Sequence, residues 1–155
     1  MRVIIAAVGH PKDRALAAAI LDYETRAARY WPIEIVEVKG ERGDNAATSV
    51  NVRAREGERI TRKIEGIITK VACDASGKSM SSEQFAAWLQ GEREAARDVA
   101  FMIGGAFGLD DGLRDNASMR LSLAPWTLPH ELARLVLAEQ LYRAGTIVRG
   151  EPYHK

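Results

Sequence analysis

The nonapeptide Phe101–Leu109, FMIGGAFGL, poses the first chemical question. Its apolar residues run straight into Gly104 and Gly105, with Gly108 just beyond, so the glycines stand where a parallel strand should end. That end of such a sheet is where ligands bind. The glycines either admit a ligand to the backbone or turn the chain; the six-residue dinucleotide fingerprint and the lysine of a phosphate loop are both missing. A second pattern is basic. Arg53, Arg55, Arg59, Arg62, Lys63 and Lys70 outnumber Glu56, Glu58 and Glu65, which gives either a phosphate-facing surface or a solvated helix face. His10, His130 and His154 lack close metal-ligand spacing, and Cys73 is a lone thiol, which excludes an internal disulfide and suits a reducing compartment.

These residues need elements to hold them. A chain of 155 residues, 46% hydrophobic, suffices for one domain spanning residues 1–155. Its 22 basic and 21 acidic side chains leave a net charge of +1, so composition alone demands no nucleic acid. The start MRVIIAAVGHPKDR breaks at Gly9-His10-Pro11 and reads as a first strand rather than a leader. No apolar run approaches the ~20 residues of a membrane span, and a soluble, cytoplasmic protein is expected.

Val3–Val8 is a continuous apolar run of strand length, followed by a helix with Leu16, Ile20, Leu21 and Ala28 at helical spacing. Ile33–Val38 alternates as an edge strand does, and a glycine-rich charged loop precedes a helix around Val52–Ile64. Gly66–Asp74 supplies a third strand ending in the polar turn ASGKSMSS. Ser81 and Gln84 have the form of a capping box ahead of Phe85, Trp88 and Leu89. Val99–Ile103 is the fourth strand, and Met119, Leu121 and Leu123 mark a short fifth. Pro129 opens a last helix extending towards Ala144, in which Leu132, Leu135, Val136, Leu137 and Leu141 cover more than one face. Such a helix is expected to pack on the sheet and also on a second subunit. The result is an α/β fold with a mostly parallel five-stranded sheet flanked by helices.

With the elements in place, several blocks become recognisable. IGGAFGL (Ile103–Leu109), LSLAPWTLPHELARLVLAEQLYRA (Leu121–Ala144) and GEPYHK (Gly150–Lys155) closely resemble the ribosomal RNA large subunit methyltransferase H family of the SPOUT superfamily. AVG (Ala7–Gly9), KGERGDN (Lys39–Asn45) and the turn after Asp74 extend the resemblance to essentially the whole chain. It implies a deep C-terminal trefoil knot, an exception to the unknotted rule. It further implies methyl transfer from S-adenosylmethionine to N3 of pseudouridine 1915 in 23S ribosomal RNA. The implied enzyme works as a homodimer on the assembled 70S ribosome, without metal or membrane.

The same resemblance places Cys73, Gly104, Gly105 and Leu123, Ala124, Pro125, Trp126, Thr127 and Leu128 around the cofactor. Cys73 is expected to be a buried thiol rather than a nucleophile. His130, Arg143, Tyr153, His154 and Lys155 are implied to face RNA, with the tail crossing to the other subunit's cofactor site. His154 and Arg143 are the implied catalytic pair, as proton acceptor and charge stabiliser. Read alone, His130 could simply cap its helix and Arg143 could pair with Glu139. Ala106 and Phe107 depart from the proline and acidic or small residue that many relatives carry after the glycines. A transfer RNA methyltransferase of the same superfamily and a non-catalytic RNA-binding module are the alternative functions.

Overall fold

A computed structural model describes residues 1–42 and 46–154, with residues 46, 47 and 154 described by backbone alone. The elements run β1 (Val3–Val8), α1 (Arg14–Ala27), β2 (Ile33–Val38), α2 (Ala46–Lys63), β3 (Thr69–Ser79) and α3 (Ser82–Glu94). They continue through β4 (Val99–Ile103), α4 (Asp111–Asp115), β5 (Met119–Ser122) and α5 (His130–Val148) to a short 3-10 turn at Pro152–His154.

The five strands form one sheet in the order β2-β1-β4-β3-β5, every pair parallel. Position explains composition. β1 and β4 lie inside the sheet with apolar layers on both faces, so every residue of VIIAAV and VAFMI is buried. β2 is an edge, which its alternating glutamates tolerate.

One face of the sheet, through Val3, Ile5, Val71, Val99, Phe101 and Leu121, packs against Ala27 and Trp31, against Phe85 and Leu89, and against Leu137 and Leu141. That is the layer of α1, α3 and α5. The opposite face, through Ile4, Ala6, Val8, Ala72 and Met102, packs against Ile60 of α2, Ile64 just beyond its end, and Leu109. No helix among the described residues is long and apolar enough to cross a membrane.

The capping box is present: Ser81 Oγ accepts the Gln84 N–H at 3.2 Å and Gln84 Oε1 accepts the Ser81 N–H at 2.9 Å. Elsewhere the structure departs from the sequence reading. Leu21 is 65% exposed, outside the apolar stripe of α1. β3 does not stop at Asp74: residues 74–77 bulge out, and the strand rejoins β5 with Lys78 opposite Leu121 and Ser79 opposite Ser122. Gly77 makes this pairing possible, because a Cβ there would lie 2.6 Å from the carbonyl carbon of Arg120. α2 begins at Ala46, ahead of Val52, and β5 ends at Ser122, one residue before Leu123. The short α4 comes from Asp110, whose carboxylate accepts the Leu113 N–H at 3.2 Å.

α5 lies against both α1 and α3. Leu137 and Leu141 are fully buried, whereas Leu132, Leu135 and Val136 remain half-buried. Arg134 locks the helix from below: its guanidinium donates to Glu24 of α1 at 2.7 Å and to Glu37 of β2 at 2.6 Å. At the other end Trp31 Nε1 donates to the Leu141 carbonyl at 2.8 Å. Gly145 receives Tyr30 so closely that a Cβ would fall 2.2 Å from its Cγ. The obstruction is the root of the ring, Cβ and Cγ, rather than the end of a flexible side chain. Gly145→Ala is therefore expected to cost about 1–3 kcal/mol by overpacking, a fall in Tm of roughly 3–10 °C for a chain of this size. An unchanged Tm by calorimetry would show that the α1–α5 seam yields freely.

Candidate functional site

The carboxyl ends of β3, β4 and β5 open onto a cavity of about 430 Å³, a volume suited to a small-molecule ligand. Three stretches of chain and Arg114 of α4 wall it: Cys73–Ser76 in the bulge of β3, the turn leaving β4 from Ile103 to Leu109, and the segment from Leu123 through the loop after β5 to Ala133 in the first turn of α5.

The glycine segment is a turn whose tightness forms the wall. The Gly105 carbonyl accepts the Gly108 N–H at 3.0 Å, and Gly108 has φ of 83°. A Cβ on Gly104 would stand 2.3 Å from the carbonyl carbon of Gly108 and 2.5 Å from the Leu109 nitrogen. Backbone touches backbone there, so no rearrangement of side chains could make room. Gly105 faces elsewhere: its missing Cβ would lie 2.9 Å from Glu56 Oε2 and 3.0 Å from Val8 Cγ1.

The β3 bulge supplies charge. Asp74 Oδ1 accepts the Ser76 N–H at 2.8 Å. Burial works against ionisation of Asp74, but the Ser76 hydrogen bonds, with Arg114 and Arg120 nearby, hold its carboxyl below the ordinary range. The cavity therefore carries a carboxylate at neutral pH. Next to it, desolvation, reinforced by the Asp74 charge, pushes the Cys73 thiol up to about 12. A thiol so rarely ionised is a wall, not a nucleophile.

Of the residues expected around the cofactor, Cys73, Gly104, Gly105, Leu123, Ala124, Trp126, Thr127 and Leu128 line this cavity. Pro125 is exposed and is not part of its lining. Trp126 stands at the wall 76% exposed. His130, at the start of α5, joins them.

Arg143 and Tyr153 do not. From His130 to Arg143 the helix advances about 20 Å at 1.5 Å per residue, which carries Arg143 away from the cavity. There its guanidinium donates to Glu139 at 2.6 and 2.9 Å and lies 4.9 Å from the centre of the Tyr153 ring. The Tyr153 hydroxyl is 3.2 Å from Glu139 Oε1 and 3.3 Å from the Tyr23 hydroxyl, and desolvation with these partners raises it well above the usual phenol range. The His154 side chain and Lys155 lie outside the described residues, as do Gly43, Asp44 and Asn45 of the KGERGDN block.

The basic residues of α2 resolve as mostly paired. Arg59 binds Glu41, Arg53 lies 3.6 Å from Asp111, and Arg62 lies 3.5 Å from Glu58. This favours the solvated, structural reading of that cluster. Asp74, Ser76 and Arg114 are cavity residues that sequence reasoning missed. Only the turn after Asp74 offered a signal, because the fold alone brings a β3 bulge and α4 to the end of β4.

Comparison with known proteins bears on the identity of this arrangement. The family described as Predicted SPOUT methyltransferase matches residues 1–154. The Ribosomal RNA large subunit methyltransferase H of Gemmatimonas aurantiaca is 59% identical over 155 residues, covering 100% of both chains. The protein of the same name from Syntrophotalea carbinolica is 44% identical over 156 residues, covering 99% of each. Among solved structures, a probable methyltransferase from Bordetella pertussis Tohama I superposes with a TM-score of 0.58 at 13% identity, covering 92% of this chain and 95% of that one. The architecture is thus SPOUT-like, a parallel five-stranded sheet flanked by helices with a knot-like C-terminal region. With its whole length matched, the chain belongs to the ribosomal RNA large subunit methyltransferase H family of SPOUT methyltransferases.

Proposed function

We propose that this protein transfers the methyl group of S-adenosylmethionine to N3 of pseudouridine 1915 in 23S ribosomal RNA, acting as a homodimer on the assembled 70S ribosome. The observation that carries the reading is the cavity at the end of β4, around which the residues matching the family's cofactor segment converge. Its chemistry suits that cofactor: an anionic Asp74 faces a cationic ligand, apolar walls hold the adenine, and glycine backbone approaches without side chains. S-adenosylmethionine supplies an activated methyl on a sulfonium leaving group. We further propose that β3 to α5 close a deep trefoil knot, which would explain why three successive loops wall one cavity.

The roughly 20 Å along α5 between His130 and Arg143, at about 1.5 Å per residue, favours a site shared between chains. Within one chain Arg143 and Tyr153 stand away from the cavity that His130 lines. In a two-fold dimer, Arg143, Tyr153, His154 and Lys155 of one chain would reach the partner's cofactor, with His130 on the RNA side. Arg143 would then stabilise negative charge on the carbonyl oxygens beside N3, with His154 against the same ring.

Three measurements test this. Ribosomes from a strain lacking the modification, incubated with enzyme and labelled cofactor, should acquire label at N3 of that pseudouridine in 70S particles and far less in isolated large subunits or free RNA. Label on transfer RNA instead, mapped by mass, would overturn the substrate. Gly104→Ala should weaken cofactor binding by about 100-fold or more, the loss of a backbone-lined site worth roughly 3 kcal/mol, and wild-type affinity in the variant would remove the glycine loop from the site. Finally, Gly104→Ala chains and Arg143→Ala chains, each inactive alone, should regain about a quarter of wild-type activity when mixed in equal amounts and allowed to exchange subunits, as a shared two-fold site requires. No recovery would place the whole site within one chain.

A further inference from the structure

Beside the cofactor cavity is a second cleft of about 550 Å³ that shares Gly105 and His130 with it. Its walls are the loop after β1, with Gly9, His10 and Lys12, and the loop after β2, with Lys39, Gly40, Glu41 and Arg42. It lies outside the carboxyl ends of β1 and β2, next to the place where the strand order changes direction between β1 and β4. In open parallel sheets that crevice is where ligands bind.

The charges in the cleft differ sharply in how they are satisfied. Glu37 accepts from Arg134 and Glu41 from Arg59. Lys12, Lys39 and Arg42 are exposed and join no ion pair among the described residues. At the floor, Glu56 is 3% exposed. Its Oε1 accepts the Glu41 N–H at 2.9 Å, but its Oε2 has no hydrogen-bond partner among the described residues. An orphaned carboxylate oxygen at such depth is costly and rare unless a donor arrives from outside.

We infer that this cleft receives the acceptor nucleotide, a uracil-type ring whose imide N–H is directed at Glu56 while its phosphates lie along Lys12, Lys39 and Arg42. The inference rests on the methyltransferase reading above and gives that reaction its proton acceptor. As N3 attacks the methyl carbon, the N3–H bond breaks and its proton passes to Glu56 Oε2. The carbon–sulfur bond breaks with its electron pair left on sulfur. A carboxylate and a sulfonium become a neutral carboxyl and a neutral thioether, and such cancellation of charge is favoured where water is excluded. The same carboxylate reads the ring: a cytosine offers a lone pair at N3 where uracil offers a proton, and two facing acceptors repel.

The pH dependence follows from the groups around Glu56. Burial raises its carboxyl above the usual range, opposed by the Glu41 N–H and by the charges of Arg59 on α2 and His130 on α5, with the Glu41 carboxylate adding to the rise. Lys12, Lys39, Arg42 and Glu37, with the titratable His10, complete the lining of the cleft. The active form is the carboxylate, so kcat should climb with pH through that raised value and then level off.

The test uses the full chain in two arms. On unmodified ribosomes, Glu56→Gln should keep cofactor affinity within about two-fold while kcat falls by about 100-fold or more, the usual contribution of a general base, and the rising limb of the pH profile should vanish. Glu56→Asp should recover part of kcat and the limb. A Gln variant that retains kcat and the limb, or that loses cofactor binding in step with kcat, would reduce Glu56 to a structural role. In the second arm, wild-type protein saturated with S-adenosylhomocysteine is titrated with uridine 5′-monophosphate and, separately, cytidine 5′-monophosphate. The uridine nucleotide should shift the amide resonances of Gly40, Glu41, Gly105 and Ala106 more strongly, and Glu56→Gln should erase the preference. Ribosomes left unlabelled despite those shifts would overturn the proposed function and leave the cleft standing. Resonances unmoved by the uridine nucleotide would overturn the cleft, whatever the ribosomes do.

Discussion

The contact on which the site depends is backbone against backbone. Where β4 leaves the sheet, Gly104 is pressed onto Gly108 and Leu109 so closely that a single methyl group would sit 2.3 Å from a carbonyl carbon. The turn that results is thin, and thinness lets it serve as the wall of two cavities at once. On one side lie the β3 bulge and the segment before α5; on the other lie Glu56 and the loops after β1 and β2.

The buried carboxylates show how the fold distinguishes scaffold from chemistry. Glu24, 7% exposed, is neutralised by Arg134. Glu92 accepts from Thr69 at 2.8 Å and from Arg97 at 2.8 Å, and its carboxyl is held below the ordinary range chiefly by Arg97. Both are satisfied as a buried charge must be if it is to do nothing but hold elements together. Asp74 is satisfied by its own bulge and yet lines a cavity. Among the described residues Glu56 is satisfied on one oxygen alone, and so differs from Glu24 and Glu92.

Much of this was legible in the residues. Continuous apolar runs marked β1 and β4 because only strands covered on both faces need them, and Ser81 with Gln84 announced α3 because that exchange of hydrogen bonds is local. The glycine pair was visible as a strand end, but its alternatives, ligand or turn, could not be separated by sequence: the turn is itself the wall of a cavity. The continuation of β3 was hidden because its second half is polar and pairs only at an edge, across a bulge that periodicity cannot register. Glu56 was hidden among the arginines of a weakly periodic helix, where its depth depends on β1 and the glycine loop packing over it. The separation of Arg143 from His130 is a length along a helix, and a string of letters shows no cavity to measure it from.

The three tryptophans sit in three different dielectrics. Trp31 is sealed, its indole N–H on the Leu141 carbonyl and the Arg93 guanidinium 4.0 Å from its ring centre. Trp88 is half-buried and stacks near Phe85. Trp126 is 76% exposed to water while standing on the rim of the first cavity. Emission from an indole shifts to the blue as water leaves it, so the wavelength of the unlabelled protein divides into a fixed interior component and one that follows what covers the cavity mouth. The fold thus carries its own optical gauge of the cavity mouth, with the sealed Trp31 as an internal standard of the same chromophore.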